Sequence, residues 1–380
     1  MLQRPVVSES PAKHLASEAG ELPVHFFAPS ALEARLRSFK AHFPGVVTYA
    51  VKANPAREVI ARLVKLGSHF DAASRGEIET CLGEGATPDQ ISFGNTIKRR
   101  QDIEWARDNG ITLFAADAEE ELEKIAEIAP GSDVYIRLIV EASEADWPLT
   151  RKFGCDGDTA IRLMGYAKSL GLSPVGMSFH VGSQTRRAEM WAPALDALAK
   201  VWHGAKAAGH DLTLLNIGGG FPAFYGEAIQ APTDYAAAVI EMVRARFGDV
   251  PRIMAEPGRG MVAEAGVIVC EVLLVSRKSD RDVHRWVYLS IGRFSGLAET
   301  EGEAIRYQFT TPRDADPMGP CIMAGPSCDS ADVLYEKRPM PLPLTLKAGD
   351  RVLIRNTGAY TSTYSSVCFN GFPPLQVLCI

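Results

Sequence analysis

Lys52 ends the apolar run that opens VVTYAVKANP, the stretch from Val46 to Pro55. Val46, Val47, Tyr49 and Val51 are β-branched or aromatic with no helical period, so the run predicts a buried strand that Ala53-Asn54-Pro55 breaks. An ammonium is rarely buried without a partner, because stripping its water is expensive. The plain reading is a strand that has reached the surface; the chemical reading is an amine held where it can react. Later apolar runs carry reactive types in the same way. Asp71 lies on the second, Arg137 within the fifth, His180 ends the sixth, Gly218-Gly219-Gly220 end the seventh and Glu256 ends the eighth. Singly, His180 reads as a satisfied core histidine, Arg137 as a strand-end ion pair and the glycines as a tight turn.

Collected on one rim, these residues fit a single chemistry. The glycines of NIGGGFP let backbone approach a ligand closely, and bare N–H groups form an anion nest. EPGRG follows the eighth run, and its Arg259 adds a fixed, bidentate charge for a phosphate. An amine, a phosphate cradle and a carboxylate are what pyridoxal 5'-phosphate needs. A lysine holds its aldehyde as an imine, the nest holds the phosphate, and an acidic residue pairs with the ring nitrogen. Lys52 is the amine and Glu256 the carboxylate. On this reading Lys52 is buried because the imine consumes its charge.

The elements that must position them repeat along the chain. Apolar runs at residues 46–53, 69–74, 91–94, 112–117, 133–140, 174–181, 213–219 and 252–258 alternate with helix-period segments such as AREVIARLVKLG and AEEELEKIAEIAP. Eight strands each followed by a helix is the count of a (β/α)8 barrel, which gathers its chemistry at the C-terminal strand ends. The later units are longer than one strand, one helix and short loops require, predicting insertions such as EASEADWPLTRKFGCDG. After about Ala265 the texture changes to GVIVCEVLLVSRK, RWVYLSIG, PCIMAGP, DRVLIRN and LQVLCI, strand-like and without a long helix. The division is therefore a barrel over 25–265 and a β-rich domain over 266–380. The segment 1–24, in which no element is assigned, is grouped with the β-domain.

Bulk properties exclude several classes. The chain has 380 residues, 46% hydrophobic and 23% charged, with a net charge of −6, an ordinary globular composition. A mildly acidic chain without a basic tract is unsuited to nucleic acid as its main partner. No apolar run is long enough to span a bilayer, and MLQRPVVSESPAKHLASEAG lacks the core of a signal peptide. The seven cysteines are scattered, with no C-x-x-C pair, and the eight histidines show no ligand spacing. This predicts reduced thiols in a cytoplasmic protein, no zinc site and no catalytic metal.

The motifs YAVKANP, FDAASRGEIE, SFHVGSQ, NIGGGFP, EPGRG, AGPSCDSADVLY and TGAYTSTYSSVCFNGF resemble, in order, those of the fold-type III pyridoxal phosphate decarboxylases. The nearest resemblance is to the ornithine decarboxylases, in the bacterial branch shared with dual lysine/ornithine enzymes, from about residue 25 to the end. It implies an alanine racemase-like architecture, a TIM barrel plus a C-terminal β-domain, and a head-to-tail homodimer with active sites at the interface. It makes Lys52 the cofactor lysine and lays His180 against the ring. Ser183, Gly220, Gly258, Arg259 and Tyr360 then surround the phosphate, Glu256 meets the ring nitrogen, and Asp71, Glu77 and Arg137 line the cofactor and its lysine. From the other subunit, Cys328 reprotonates the α-carbon and Asp329 binds the distal ammonium of the substrate. Phe369 to Phe372, FNGF, close the pocket. Without the resemblance, Cys328 is a structural thiol by default.

The stretch GRFSGLAETEGEAIRY has the bacterial form, and Glu299 is the candidate for gripping the far end of the substrate, with Glu301 and Glu303 as competitors. The implied reaction is decarboxylation of L-ornithine to putrescine in polyamine biosynthesis, with L-lysine to cadaverine left open. Two rivals remain. Diaminopimelate decarboxylase shares the fold, but usually has a CESGD-like motif and lacks FNGF. An antizyme-inhibitor-like regulator would bind a partner protein and lose cofactor residues.

Overall fold

A computed structural model describes residues 21–140 and 152–380. Most of the N-terminal segment, and the insertion from Glu141 to Arg151, lie outside the described residues. The chain forms two compact units. One comprises Glu33–Pro222 and Ile229–Met261; the other comprises the described residues through Leu32, Ala223–Ala228 and Val262–Ile380.

Strand β1 (Val24–Phe27) belongs to the second unit. The next eight strands close into a barrel: β2 (Val46–Ala50), β3 (His69–Ala72), β4 (Ile91–Phe93), β5 (Leu113–Ala116), β6 (Asp133–Arg137), β7 (Ser173–Ser178), β8 (Leu214–Asn216) and β9 (Arg252–Ala255). All eight pairings are parallel, and β2 closes on β9 through Val46↔Met254 and Val47↔Ala255. Parallel neighbours need a crossover, and amphipathic helices supply it. Arg57–Lys65, for example, turns Val59, Ile60 and Leu63 inward. Leu113, Ala115, Tyr135, Leu214 and Met254 form a buried cluster, with Val46 and Val175 packed against it. Leu113, Leu214 and Met254 each contribute about 1.5–3 kcal/mol by leaving water. Register sets the rim, because Ala50 pairs with Asp71, Arg137 with Ser178, and Ser178 with Asn216.

Each barrel strand ends before its apolar run does. The first run extends to residue 53 in the sequence but pairs only to Ala50, and the sixth extends to 181 but pairs only to Ser178. Arg137 is accordingly the last residue of its strand, and His180 and Glu256 stand just past theirs. Buried loop residues such as Val51, Ile217 and Gly218 account for the overrun: the mouth of the barrel is itself apolar, so hydropathy does not mark where pairing stops.

The second unit holds one mixed sheet of eight strands. Its path runs β12 (Gln308–Thr310), β15 (Arg351–Arg355), β10 (Gly266–Ser276), β11 (Arg285–Leu289), β13 (Met318–Ala324) and β14 (Val333–Pro343). Strand β1 pairs antiparallel with β10 and parallel with β16 (Gln376–Cys379), so Val24–Phe27 runs across the line drawn at residue 25. Strand β14 carries Pro339, Pro341 and Pro343, which the sequence gives no reason to place in a sheet. It lies at the end of the path, and an edge strand tolerates residues that cannot donate to a neighbour. No described helix is long and apolar enough to cross a membrane.

His25 is fully buried in β1, and neither ring nitrogen has a hydrogen-bond partner among the described residues. Burial pushes the imidazole down to about 4 from its ordinary 6.5. The folded ring is therefore neutral, and its contribution to stability is complete above pH 6.5 and lost as pH falls from there through 4. We expect wild-type protein to lose about 2 kcal/mol more than His25→Leu between pH 7 and pH 5, read from urea unfolding curves. Parallel curves for the two proteins would show that His25 titrates normally.

Candidate active site

The residues that end the barrel strands meet at one rim. Lys52 lies in a 3-10 turn, Val51–Ala53, that begins where β2 stops. The Tyr49 hydroxyl donates to the Asn54 carbonyl at 3.1 Å, and Asn54 Oδ1 accepts from the Ala56 amide at 3.2 Å, which fixes that turn. Val51 and Ala53 are buried while Lys52 is exposed. This corrects the expected burial: leaving the strand points the amine out of the apolar wall rather than into it.

Asp71 lies in β3 within electrostatic reach of Lys52, with Oδ1 sealed from solvent and without a hydrogen-bond partner among the described residues. Gly94 makes room for it, since a Cβ there would lie 1.7 Å from Asp71 Oδ1 and 3.2 Å from the Tyr135 hydroxyl. Burial, then the charge of Glu256 and that of Glu77, raise the Asp71 carboxyl well above its ordinary range, against the opposing pull of Lys52 and Arg137. Glu77 sits in the first turn of the helix Arg75–Gly83, capped by the Ser74 side chain, and its Oε2 accepts from the Ala73 amide at 2.7 Å. Burial raises its carboxyl too, while the Ala73 amide and Lys52 oppose the rise.

His180 accepts from the Gly182 amide at Nδ1, 3.0 Å away. Burial, with Lys52 and Arg137 close by, lowers its pKa well below 6.5, so the ring is neutral and its proton sits on Nε2. The Arg137 guanidinium also lies over the Phe153 ring, 5.0 Å from its centre.

The three glycines serve protein packing as well as a ligand. Gly218 has φ +70°, and a Cβ there would stand 2.0 Å from the Phe179 carbonyl. At Gly219 a Cβ would lie 2.9 Å from both His180 Nε2 and the Glu256 carbonyl. Asn216 ties the loops together: its Oδ1 accepts from the Gly218 amide at 2.9 Å and its Nδ2 donates to Glu256 Oε1. Sequence reasoning missed Asn216, although it opens NIGGGFP. Arg259, 4% exposed, donates from Nε and Nη2 to Ser183 Oγ, each at 3.3 Å, beside Gly258 and the loop of Gly220. A buried guanidinium with a hydroxyl and glycine backbone fits a phosphate, and Glu256 with Lys52 fits the ring nitrogen and aldehyde of pyridoxal phosphate.

The remaining predicted residues belong to the second unit. Tyr360 has φ +54° and tilts against Tyr364, with ring centres 5.7 Å apart. Cys328 and Asp329 are exposed in one loop, and Asn370 Oδ1 accepts from the Cys328 amide at 3.1 Å. Phe369 packs on Phe294, 4.7 Å between ring centres. Of the three glutamates, Glu303 is held by Arg306, the Lys337 amide and Arg338. Glu301 is paired with Arg293 at 2.6 Å, and Glu299 is buried.

Residues 30–263 match the family described as pyridoxal-dependent decarboxylase, pyridoxal binding domain. The chain is 34% identical over 378 residues to the lysine/ornithine decarboxylase of Selenomonas ruminantium, covering 96% of this chain and 91% of that protein. The lysine/ornithine decarboxylase of Vibrio vulnificus, solved with cadaverine, superposes with a TM-score of 0.87 at 29% identity, covering 99% of this chain and 100% of the other. The arginine decarboxylase of Paramecium bursaria Chlorella virus gives 0.88 at 28%, covering 98% and 100%. A cradle of this make on a barrel with a separate β-unit, and likeness along nearly the whole length, lead to one assignment: the chain belongs to the fold-type III, pyridoxal phosphate-dependent decarboxylases of basic amino acids.

Proposed function

We propose that the protein converts L-ornithine to putrescine and carbon dioxide in polyamine biosynthesis, with L-lysine to cadaverine as a second activity. It acts in the cytoplasm as a homodimer whose two sites each draw on both chains. The observation that carries the reading is the barrel rim, where Lys52, Asp71, His180 and Glu256 lie beside the Arg259–Ser183 pair. Pyridoxal phosphate held there would supply the electron sink that loss of the substrate's α-carboxylate requires.

The chain's own residues do the rest. Lys52 would anchor the cofactor and displace the product, which suits an exposed side chain on a fixed turn. His180, neutral, would cover the ring without adding charge. Glu256 holds a proton at the ring nitrogen, while Asn216 fixes one of its oxygens. Cys328 returns a proton to the α-carbon, and Asp329 pairs with the substrate's distal ammonium, which loses its water on binding. Glu299, buried in the second unit, is proposed as the second carboxylate on its place in GRFSGLAETEGEAIRY, with Glu301 and Glu303 as competitors.

Steady-state rates with ornithine, lysine, arginine and diaminopimelate test the substrate directly. Ornithine should give the highest kcat/KM, and a faster reaction with arginine or diaminopimelate would overturn the reading. Asp329→Ala should raise KM for ornithine about 10- to 100-fold with cofactor affinity unchanged, because the bound ammonium is left without its partner.

A further inference from the structure

The loop that carries Cys328 and Asp329 is organised by a residue with no role so far. Asp332 is 3% exposed, whereas Cys328 and Asp329 are both exposed. Its Oδ1 accepts from the Arg293 amide at 2.7 Å, and its Oδ2 accepts from the Ser327 amide at 3.1 Å and the Ser327 hydroxyl at 2.7 Å. Gly292 and Gly325 close over it, since a Cβ on either would stand 2.1 or 2.3 Å from a carboxylate oxygen. The backbone of the same residue folds the loop back: the Asp332 amide donates to the Asp329 carbonyl at 3.1 Å, and the Gly325 amide donates to the Asp332 carbonyl at 2.9 Å.

A carboxylate is buried only where its lone pairs are met. Here two separate loops meet them, one beginning at Gly292 and one carrying Cys328, so the same carboxylate joins both. On the far side Asn370 Oδ1 accepts the Cys328 amide. Consecutive amides, those of Ser327 and Cys328, are thus pinned by side chains from different parts of the chain. Leaving the thiol to a free loop would not achieve this.

We propose that Asp332 is a positioning residue that sets where the Cys328 thiol and the Asp329 carboxylate stand. The proposal rests on the reading that Cys328 delivers the proton to the α-carbon. Proton transfer is sensitive to displacements of an ångström, so a loosened loop costs turnover before it costs cofactor.

Asp332→Asn keeps the shape but turns one acceptor into an NH2 facing other donors; Ser327→Ala removes only the hydroxyl. In the cofactor-loaded enzyme we expect kcat for ornithine to fall about a hundredfold in Asp332→Asn, with cofactor affinity unchanged. Ser327→Ala should fall less, in the same direction. In the same proteins, iodoacetamide alkylation of Cys328, followed by peptide mass, should change at least about threefold while Cys368 keeps its rate. Unchanged kcat and Cys328 alkylation in folded Asp332→Asn would overturn the proposal. So would a uniform loss of cofactor affinity, Cys328 selectivity and turnover, which marks a general scaffold residue. If the wild-type protein turns over no basic amino acid, the decarboxylase reading falls, yet the alkylation rates still decide whether Asp332 holds the thiol.

Discussion

Lys52→Ala should give a folded protein that binds pyridoxal phosphate weakly and has lost at least about three orders of magnitude in decarboxylation. The fold should survive because the packing of the 3-10 turn comes from Val51 and Ala53, while Lys52 is exposed. Truncating an exposed side chain typically changes stability by no more than about 0.5 kcal/mol. The electrostatic consequences have definite signs. Without the ammonium, the carboxyls of Asp71 and Glu77 lose an influence that lowers them and should rise further, whereas His180 loses one that lowers it and should rise towards its ordinary value. Borohydride treatment of the loaded wild type should place the cofactor's mass on the Lys52 peptide; finding it on another lysine would remove Lys52 from the role. The same variant tests the shared site. Mixed with Cys328→Ala under verified subunit exchange, it should recover roughly one quarter of wild-type activity, because half the dimers are mixed and each of those rebuilds one of two sites. No recovery despite exchange would place both residues in one chain's site.

How far the sequence carries depends on which property a residue uses. The barrel is legible because alternation of apolar runs and amphipathic helices is a repeated signal, and the reactive types fall at the same point of successive units. Pairing limits are not, since Val51, Ile217 and Gly218 are apolar or small and buried beyond the last ladder bonds. Lys52 was legible in place but not in exposure: a turn one residue past a strand reverses which way a side chain faces, and no periodicity reports that. Strand β14 was hidden by its three prolines, and only its place at the sheet's edge explains them. At the rim, motif glycines suggest a ligand, yet Gly218 and Gly219 are also required by the Phe179 and Glu256 carbonyls, contacts between loops far apart in the chain. Asn216 and Asp332 act through backbone amides of other loops, which is the kind of role a residue type alone does not announce.

Glu256→Gln separates a chemical role from an electrostatic one. The backbone at this position is fixed independently of the side chain, since the Glu256 amide donates to the Gly218 carbonyl at 2.8 Å. Glutamine has the same length and can still offer its Oε1 to Asn216 Nδ2, so the loop should keep its shape. What disappears is a negative charge beside Asp71, whose carboxyl is raised first by burial and next by Glu256. Its proton should therefore leave at lower pH in the variant, measurable by carbon NMR of labelled aspartate in the cofactor-free protein, where turnover plays no part. The Tyr135 hydroxyl, raised by burial and then by Glu256 and Asp71, should shift the same way. If Glu256 also holds the proton at the ring nitrogen, turnover should fall by about two to three orders of magnitude, as expected for loss of a preorganised charge at a buried reaction centre. An Asp71 titration that moves while kcat changes less than about threefold would limit Glu256 to setting the field around Asp71 and return the ring nitrogen to another group. A titration that stays put would mean that the two carboxylates are not electrostatic neighbours, and the raised carboxyl of Asp71 would then rest on burial and the charge of Glu77.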